Sequence, residues 1–248
     1  MDQLLRVARG ARWIGLIAFA GSVVSCAAAS ESFGARSVIG SAVLITIGLV
    51  AVFIWAITSS YAKTRLVAEC FDGQIGERDV AVLAVLTRGR SLGSLRRELA
   101  EAELSGSVSH SRFELSYSTR QTLPLEQTAE RVTSLLDVLG KDRAAKLSWR
   151  DARDAGCAIE IDSEHCAIEI ACADDTPDWP VVDSALAALL QRAAKRAPAS
   201  HIEALVLGQE HRLASLEIDA SEVSGVNVES VEPRQLLDAL GLERHHAA

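Results

Sequence analysis

The stretch that decides the fold is residues 38–59, which read VIGSAVLITIGLVAVFIWAITS and contain no charged side chain. Crossing the roughly 30 Å hydrocarbon core of a bilayer takes about 20 apolar residues in a helix. This stretch therefore predicts a transmembrane helix. A second uncharged stretch, Trp13–Ala29, lies upstream and is shorter. Together they predict an N-terminal transmembrane helical hairpin over residues 1–62, with spans at about 13–29 and 38–59.

The basic residues around the two stretches predict the orientation of the chain. Three arginines precede the first stretch, and Lys63 and Arg65 follow the second, whereas the connecting loop of residues 30–37 holds one arginine. Lys and Arg are enriched on the cytoplasmic side of membrane proteins. We therefore expect an integral membrane protein in contact with membrane lipid, with both termini cytoplasmic and its soluble domain in the cytosol.

Small residues in the first stretch predict close helix packing. Gly21, Ser25 and Ala29 are four residues apart, which lets a second helix approach closely. This stripe predicts association with other membrane protein subunits or self-association. Two alternatives remain open: the stretch also resembles a secretory signal, and residues 23–26, ending in Cys26, resemble a lipidation site.

The charge and cysteine content of the chain argue against nucleic-acid binding and metal binding. The chain has 33 acidic and 25 basic residues, and residues 151–248 hold 19 of the acidic and only seven of the basic ones. Such an acidic surface repels phosphate backbones, which disfavours a nucleic-acid partner. The five cysteines follow no disulfide or CxxC pattern, and no histidine pair has metal-binding spacing, so we expect no metal site.

Residues 63–110 predict a helical connector. Apolar residues recur at helical spacing over Glu77–Thr87 and Leu92–Glu103, and Ser105–Ser111 has the composition of a polar linker. The pair has the outline of a DNA-binding helix-turn-helix, although its charges balance and two amphipathic helices are common in any fold. Near the membrane exit, four arginines are candidates for contact with lipid headgroups: Arg88, Arg90, Arg96 and Arg97.

Residues 111–248 predict a cytosolic α+β domain of β-hairpins, with helices packed on one sheet face and an acidic C-terminal half. Alternation predicts a strand around Phe113–Tyr117 and two hairpins, and helical spacing predicts three helices. The hairpins join residues 157–161 to 166–172 and 202–207 to 213–219; the helices cover Pro124–Leu139, Pro180–Arg196 and Glu232–Leu242.

The first hairpin carries the candidate site. Its apolar face holds Cys157, Cys166 and Cys172, which we expect to be unreactive core residues, and His165 should point away from Cys166. A tight turn would place Glu160 opposite Glu169, and such a like-charge pair invites a cation or an arginine. The candidate face for a partner or an ion comprises Glu160, Asp162, Glu169, Asp174 and Asp175. A solvated acidic surface is the alternative.

No family motif, catalytic motif or cofactor signature occurs in the sequence. We therefore expect a membrane-anchored, non-catalytic interaction module, an accessory or scaffold subunit that docks partners through its cytosolic domain. The alternative is a ligand-sensing membrane effector whose hairpin oligomerises. A membrane-anchored enzyme of unrecognised class is the third hypothesis, since the lack of a motif does not exclude catalysis.

Overall fold

The computed structural model describes residues 35–224 and 231–245 of the 248-residue chain. These residues form two compact units, one comprising residues 35–66 with 89–93 and the other residues 67–88 with 94–224 and 231–245. The predicted first span, its small-residue stripe Gly21, Ser25 and Ala29, and Cys26 lie outside the described residues.

The first unit is dominated by helix α1, Ala35–Ala68. Within it, the 23 residues Thr46–Ala68 are long and apolar enough to cross a membrane, by length and composition. This is one candidate span; a hairpin of two spans is not shown. The helix continues past Tyr61 and ends at Ala68, close to Gly73, whose φ of 108° is left-handed.

The second unit is an α+β domain built on one mixed sheet of nine strands in sequential order, β1 to β9. Strands β1 and β2, β3 and β4, and β6 and β7 pair in parallel, and all other neighbours pair antiparallel. The strands are β1 Phe71–Asp72, β2 Ala102–Val108, β3 Arg112–Thr119, β4 Ala144–Arg150, β5 Gly156–Ile161, β6 His165–Ala171, β7 His201–Leu207, β8 Arg212–Asp219 and β9 Glu243–Arg244.

Helices pack around this sheet. Those after α1 are α2 Glu77–Thr87, α3 Leu92–Glu101, α4 Leu125–Val138, α5 Trp179–Arg196, α6 Ala220–Ser224 and α7 Pro233–Ala239. Helices α4 and α5 are the crossovers between the parallel pairs β3–β4 and β6–β7, because parallel neighbours need a long connection. The segments β3-α4-β4-β5 and β6-α5-β7-β8 therefore repeat one topology.

The core lies between the two crossover helices and the strand residues that face them. Alternate residues of β3 to β8 are buried, among them Phe113, Leu147 and Ile168. The Thr128 hydroxyl of α4 lies 3.6 Å from the Cys157 thiol of β5, which places α4 over this buried face. Tyr117 and Trp149, paired across β3 and β4, stack with ring centroids 4.1 Å apart.

The sequence predictions for this unit are confirmed in their main elements. Both predicted hairpins and the helices at residues 77–87, 125–138 and 179–196 are present. The predicted linker Ser105–Ser111 was wrong, since residues 102–108 are strand β2. Its Gly106 is needed because a side chain there would meet the Phe71 ring at 2.4 Å. The predicted three-part division at residues 62 and 110 stays a prediction.

Residues 157–161 and residues 166–170 both read CAIEI, and the two segments belong to neighbouring strands. The two segments pair antiparallel as β5 and β6, with Ile159 opposite Ile168. They occupy different positions in the repeated topology, the last strand of one half and the first strand of the other. Their likeness reflects a shared need for one apolar face in the middle of the sheet.

Candidate functional site: the open face of the sheet

The sheet face opposite α4 and α5 is a candidate interaction surface. We call it the open face; it consists of the strand residues that alternate with the buried ones. Its side chains are small or charged, and those of Lys146 and Glu160 are about half exposed. Its central members are Ser105, Ser107, Glu114, Ser116, Lys146, Ser148, Arg150, Ala158, Glu160, Ala167 and Glu169.

A network of ion pairs crosses β3, β4 and β5 on the open face. Arg112 contacts Glu114 at 2.6 Å and Glu160 at 2.8 Å, and Lys146 contacts Glu160 at 3.0 Å. The hydrogen bond from Lys146 is the main reason that the pKa of Glu160 lies below its usual value. Exposed ion pairs of this kind contribute about 0–1 kcal/mol each. The network therefore neutralises the surface more than it stabilises the fold.

The predicted opposition of Glu160 and Glu169 was wrong in register. Glu160 lies opposite Ala167, and Glu169 lies opposite Ala158. Asp162 and His165 close a tight turn around Ser163 and Glu164, with the Asp162 N–H donating to the His165 carbonyl at 2.9 Å. A tight turn at that position pairs Glu160 with Ala167 and not with Glu169. Both carboxylates do share the open face, and each has a basic partner, Glu160 as described and Glu169 with Arg150.

The remaining acidic candidates do not join these two glutamates. Asp162 lies in the β5–β6 turn, where its Oδ1 accepts the backbone N–H groups of Glu164 and His165 at 2.8 Å. These two hydrogen bonds lower the pKa of Asp162. Asp174 and Asp175 follow the other end of β6. At about 3.3 Å per strand residue, that end lies about 20 Å from the turn that holds Asp162. The five predicted residues therefore do not form one ion site.

Asp175 makes a structural contact that connects two loops. Its carboxylate lies against Gly208, where a Cβ would come within 2.0 Å of Oδ1, and accepts the Glu210 N–H at 3.4 Å. Gln209 donates to the Ala173 carbonyl at 2.7 Å. These contacts fasten the loop after β6 to the β7–β8 turn, at one end of the sheet.

The four candidate headgroup arginines lie around the turn between α2 and α3. Arg88, Arg96 and Arg97 are exposed, and Arg90 is half-buried. Within the first unit, Lys63 of α1 donates to the Arg90 carbonyl at 3.0 Å. This contact places Arg90 beside the polar end of the candidate membrane helix, whereas contact of the arginines with lipid stays a prediction.

Two of the three hairpin cysteines are core residues, as predicted, and the third is only half-buried. Cys157 and Cys166 are fully buried, and burial raises their pKa values to about 11 and about 12. Cys172 is half-buried just beyond β6, and burial raises its pKa to about 11. His165 is exposed while Cys166 is buried, so the two side chains point to opposite faces. Thiols with such pKa values are poor nucleophiles at neutral pH.

Sequence reasoning missed a buried ion pair in which Arg143 contacts Asp79 of α2 at 2.5 Å. Arg143 also donates to the Ser109 carbonyl and lies over the Phe113 ring at 5.6 Å. The pair borders a broad depression of about 950 Å³. Because both charges are partnered inside the fold, it fastens α2 to the sheet. The 64-residue separation gave no sequence signal for it.

Comparison with known proteins adds no relationship. No protein-family model matches the chain, and no curated protein and no solved structure is significantly similar to it.

Proposed function

We propose that this protein is a membrane-anchored, non-catalytic interaction module, an accessory or scaffold subunit that docks partners through its α+β domain. The observation that carries the proposal is the pairing of two kinds of surface in one chain. One is a helix that exposes apolar side chains, and the other is a wide sheet face that displays small and self-neutralised side chains.

Helix α1 supports the membrane part. Leu49, Val50, Val52 and Phe53 are between 53% and 66% exposed, and these positions point in different directions around the helix. Only 11% of the candidate span is buried, unlike the core helix of a soluble protein. A helix that is apolar all round needs a nonpolar environment. A bilayer supplies that environment.

Flanking charges support the orientation with both termini in the cytosol. The test is thiol labelling of sealed, inverted membrane vesicles carrying variants of a cysteine-free chain. Ser163→Cys should react with an impermeant maleimide in inverted vesicles, and Ser32→Cys should react only after lysis. The reverse pattern would refute the orientation, and release of the protein by alkaline carbonate would refute the anchor.

The open face supports the docking part. Ser116 and Ser148 lie side by side at its centre, with Ala158 next to them on β5. Small side chains leave a flat surface that a partner can approach closely, and the neighbouring ion pairs leave little uncompensated charge to desolvate. Flat, neutral surfaces of this kind suit a protein partner better than a small molecule, for which concave pockets are typical.

Site-specific photocrosslinking in native membranes tests the docking face. A photoreactive amino acid at Ser148 should give one defined crosslinked partner, and the same group at Glu130, exposed on α4, should not. Ser148→Arg should abolish co-purification of that partner while leaving the protein in the membrane. Equal crosslinking from both positions would refute the open face as the docking surface.

Native mass spectrometry of the gently solubilised protein separates the subunit from the effector hypothesis. A complex that includes other polypeptides in fixed stoichiometry supports an accessory subunit. Several copies of this chain alone, above all with a bound small molecule, would refute the proposal in favour of a self-assembling effector.

A further inference from the structure

On β7 and β8, the open face carries a cluster of ionisable groups, in which a histidine and three carboxylates occupy adjacent positions. His201 and Glu203 are two residues apart on β7, and Glu217 and Asp219 are two apart on β8, so all four share a face. In the register of the sheet, His201 lies opposite Asp219 and Glu203 lies opposite Glu217. A second histidine, His165 on β6, pairs with His201.

The opposed glutamates contact no lysine or arginine within the described residues, although Arg212 lines the same cavity. Directly opposed like charges on neighbouring strands are destabilising. Elsewhere on the open face Glu160 and Glu169 contact Lys or Arg, whereas the basic groups that contact Glu203 and Glu217 within the described residues are histidines. The two contacts are His165 to Glu203 at 3.9 Å and His201 to Glu217 at 3.1 Å.

The donor atoms converge closely enough for one ion. Ligand atoms of His201, Glu203 and Glu217 all lie within 4.8 Å of one another. The Nδ1 atom of His201 faces Asp219 at 3.5 Å, while Nε2 faces Glu217. Histidines that bind metals use one ring nitrogen as ligand and commonly direct the other to a carboxylate. His201 has this arrangement, with Nε2 as the ligand atom.

Space for the ion and for water lies above the glutamates. The neighbour of Glu203 on β6 is Ala167, which has no long side chain. A cavity of about 430 Å³ is lined by both glutamates and by Gly241. Strand β9 pairs only as far as Ser215, so it ends before the level of Glu217. The site can therefore keep open coordination positions.

We propose that His201, Glu203 and Glu217 bind a divalent transition-metal ion on the open face of β7 and β8, with Asp219 orienting the His201 ring. Imidazole nitrogen and carboxylate oxygen are both ligands of Zn²⁺, and water would complete the coordination. The site revises the sequence expectation of no metal. It is independent of the proposed docking function, since a metal can bind whether or not a partner docks.

Metal titration of the full-length protein tests the site. The protein in mild detergent is stripped with EDTA, dialysed and titrated with Zn²⁺ by calorimetry, and with Co²⁺ followed by its visible absorption. We expect one ion per chain with micromolar affinity, and at least a tenfold loss in Glu203→Gln and in Glu217→Gln. Binding that is unsaturated at 100 µM, or that is equal in all variants, would overturn the proposal.

Two control variants exclude other sources of binding. Glu160→Gln removes a carboxylate from the same face that is already paired with Lys146 and Arg112, so affinity should not change. The double variant His245→Ala, His246→Ala removes the terminal histidine pair, and affinity should again persist. Loss of binding only in that double variant, or selective binding of Mg²⁺ or Ca²⁺, would overturn the assignment.

The melting temperature of the protein tests whether Glu203 and Glu217 repel each other. In EDTA, Glu217→Gln should leave the melting temperature unchanged or raise it, because the substitution removes repulsion from Glu203. Saturating Zn²⁺ should raise the melting temperature of the wild type by about 5 °C and that of the variant by much less. A lower melting temperature of the variant in EDTA would contradict the premise.

Discussion

The C-terminal segment is held to the domain by a buried ion pair, and this predicts a large effect of one substitution. Arg244 of β9 donates through Nη2 to both carboxylate oxygens of Asp183, each at 3.1 Å. The Asp183 side chain is only 2% exposed, and that of Arg244 is 21% exposed. The guanidinium also lies 5.3 Å from the centre of the Trp179 ring.

Replacing Arg244 with alanine would leave the Asp183 carboxylate buried without its main partner. Breaking a buried pair in this way costs about 3–5 kcal/mol, and the lost cation–π contact adds about 0.5–1 kcal/mol. We therefore expect Arg244→Ala to lower the free energy of unfolding by at least about 3 kcal/mol. Removing Asp183 as well should recover part of the loss, because no unpaired charge then remains.

Arg234→Ala is the matched control in the same segment. Arg234 contacts Asp238 at 3.8 Å, four residues away on α7, and is 73% exposed. Such a pair contributes less than about 0.5 kcal/mol. The assay is urea unfolding of the full-length protein in detergent, followed by tryptophan fluorescence, with hydrogen exchange of residues 233–244 reporting local detachment. Equal effects of the two substitutions in both measurements would refute the reasoning.

Three further outcomes are expected. Gly106→Val should destabilise the domain by about 1–3 kcal/mol in the same assay, because the new side chain would meet the Phe71 ring. Adding Phe71→Ala to the same chain should relieve part of this destabilisation. If the effects of the two substitutions simply add, the steric overlap between the two side chains is contradicted. Iodoacetamide at pH 8 should leave Cys157 and Cys166 unmodified in the native protein and alkylate them in urea. The reason is that pKa values of about 11 and about 12 leave about one thiol in a thousand, or fewer, as the thiolate. Peptide mass spectrometry measures the extent of alkylation, and rapid labelling of the native protein would contradict the prediction. Asp162→Ala should lower the free energy of unfolding by about 1 kcal/mol at pH 7, because two backbone N–H groups lose their acceptor. The pKa of Asp162 is lower in the folded state, so its stabilising contribution is present above the unfolded carboxyl pKa and is lost as the pH falls through the lower folded value. A destabilisation that persists at pH 2 would contradict this origin.

The sequence predicts the elements of the domain that have a strong period. The helices at residues 125–138 and 179–196 and the two hairpins follow from apolar spacing alone. Strand β2 was missed because its Ser and Gly residues have the composition of a linker. Strand β4, whose residues Ala145, Leu147 and Trp149 are buried, is not among the predicted elements, although its apolar residues alternate. The two-residue strands β1 and β9 are too short to show any period.

The candidate site could be predicted only in part, because register decides which side chains meet. The alternation of residues 157–171 correctly put Glu160 and Glu169 on one face. Their partners Lys146 and Arg150 lie on β4, and no local pattern connects the two strands. The alternation His201-Ile202-Glu203 and Glu217-Ile218-Asp219 was visible in the sequence. Its meaning depends on the pairing of β7 with β8, which places Glu203 opposite Glu217.

The two shortest strands determine how this sheet can associate. Phe71–Asp72 and Glu243–Arg244 form its outer borders, with two residues each. A long bare border would offer free N–H and C=O groups on which another chain could extend the sheet, and natural proteins shorten or charge such borders to prevent this. Each of these strands is too short to template another one, but it covers only two residues of its longer neighbour. Within the described residues, 102–105 of β2 and 216–219 of β8 therefore keep an outer edge that no strand pairs with. A protein that meets this domain can therefore recognise side chains on a face, or it can pair with β2 or β8 beyond the end of the short border strand.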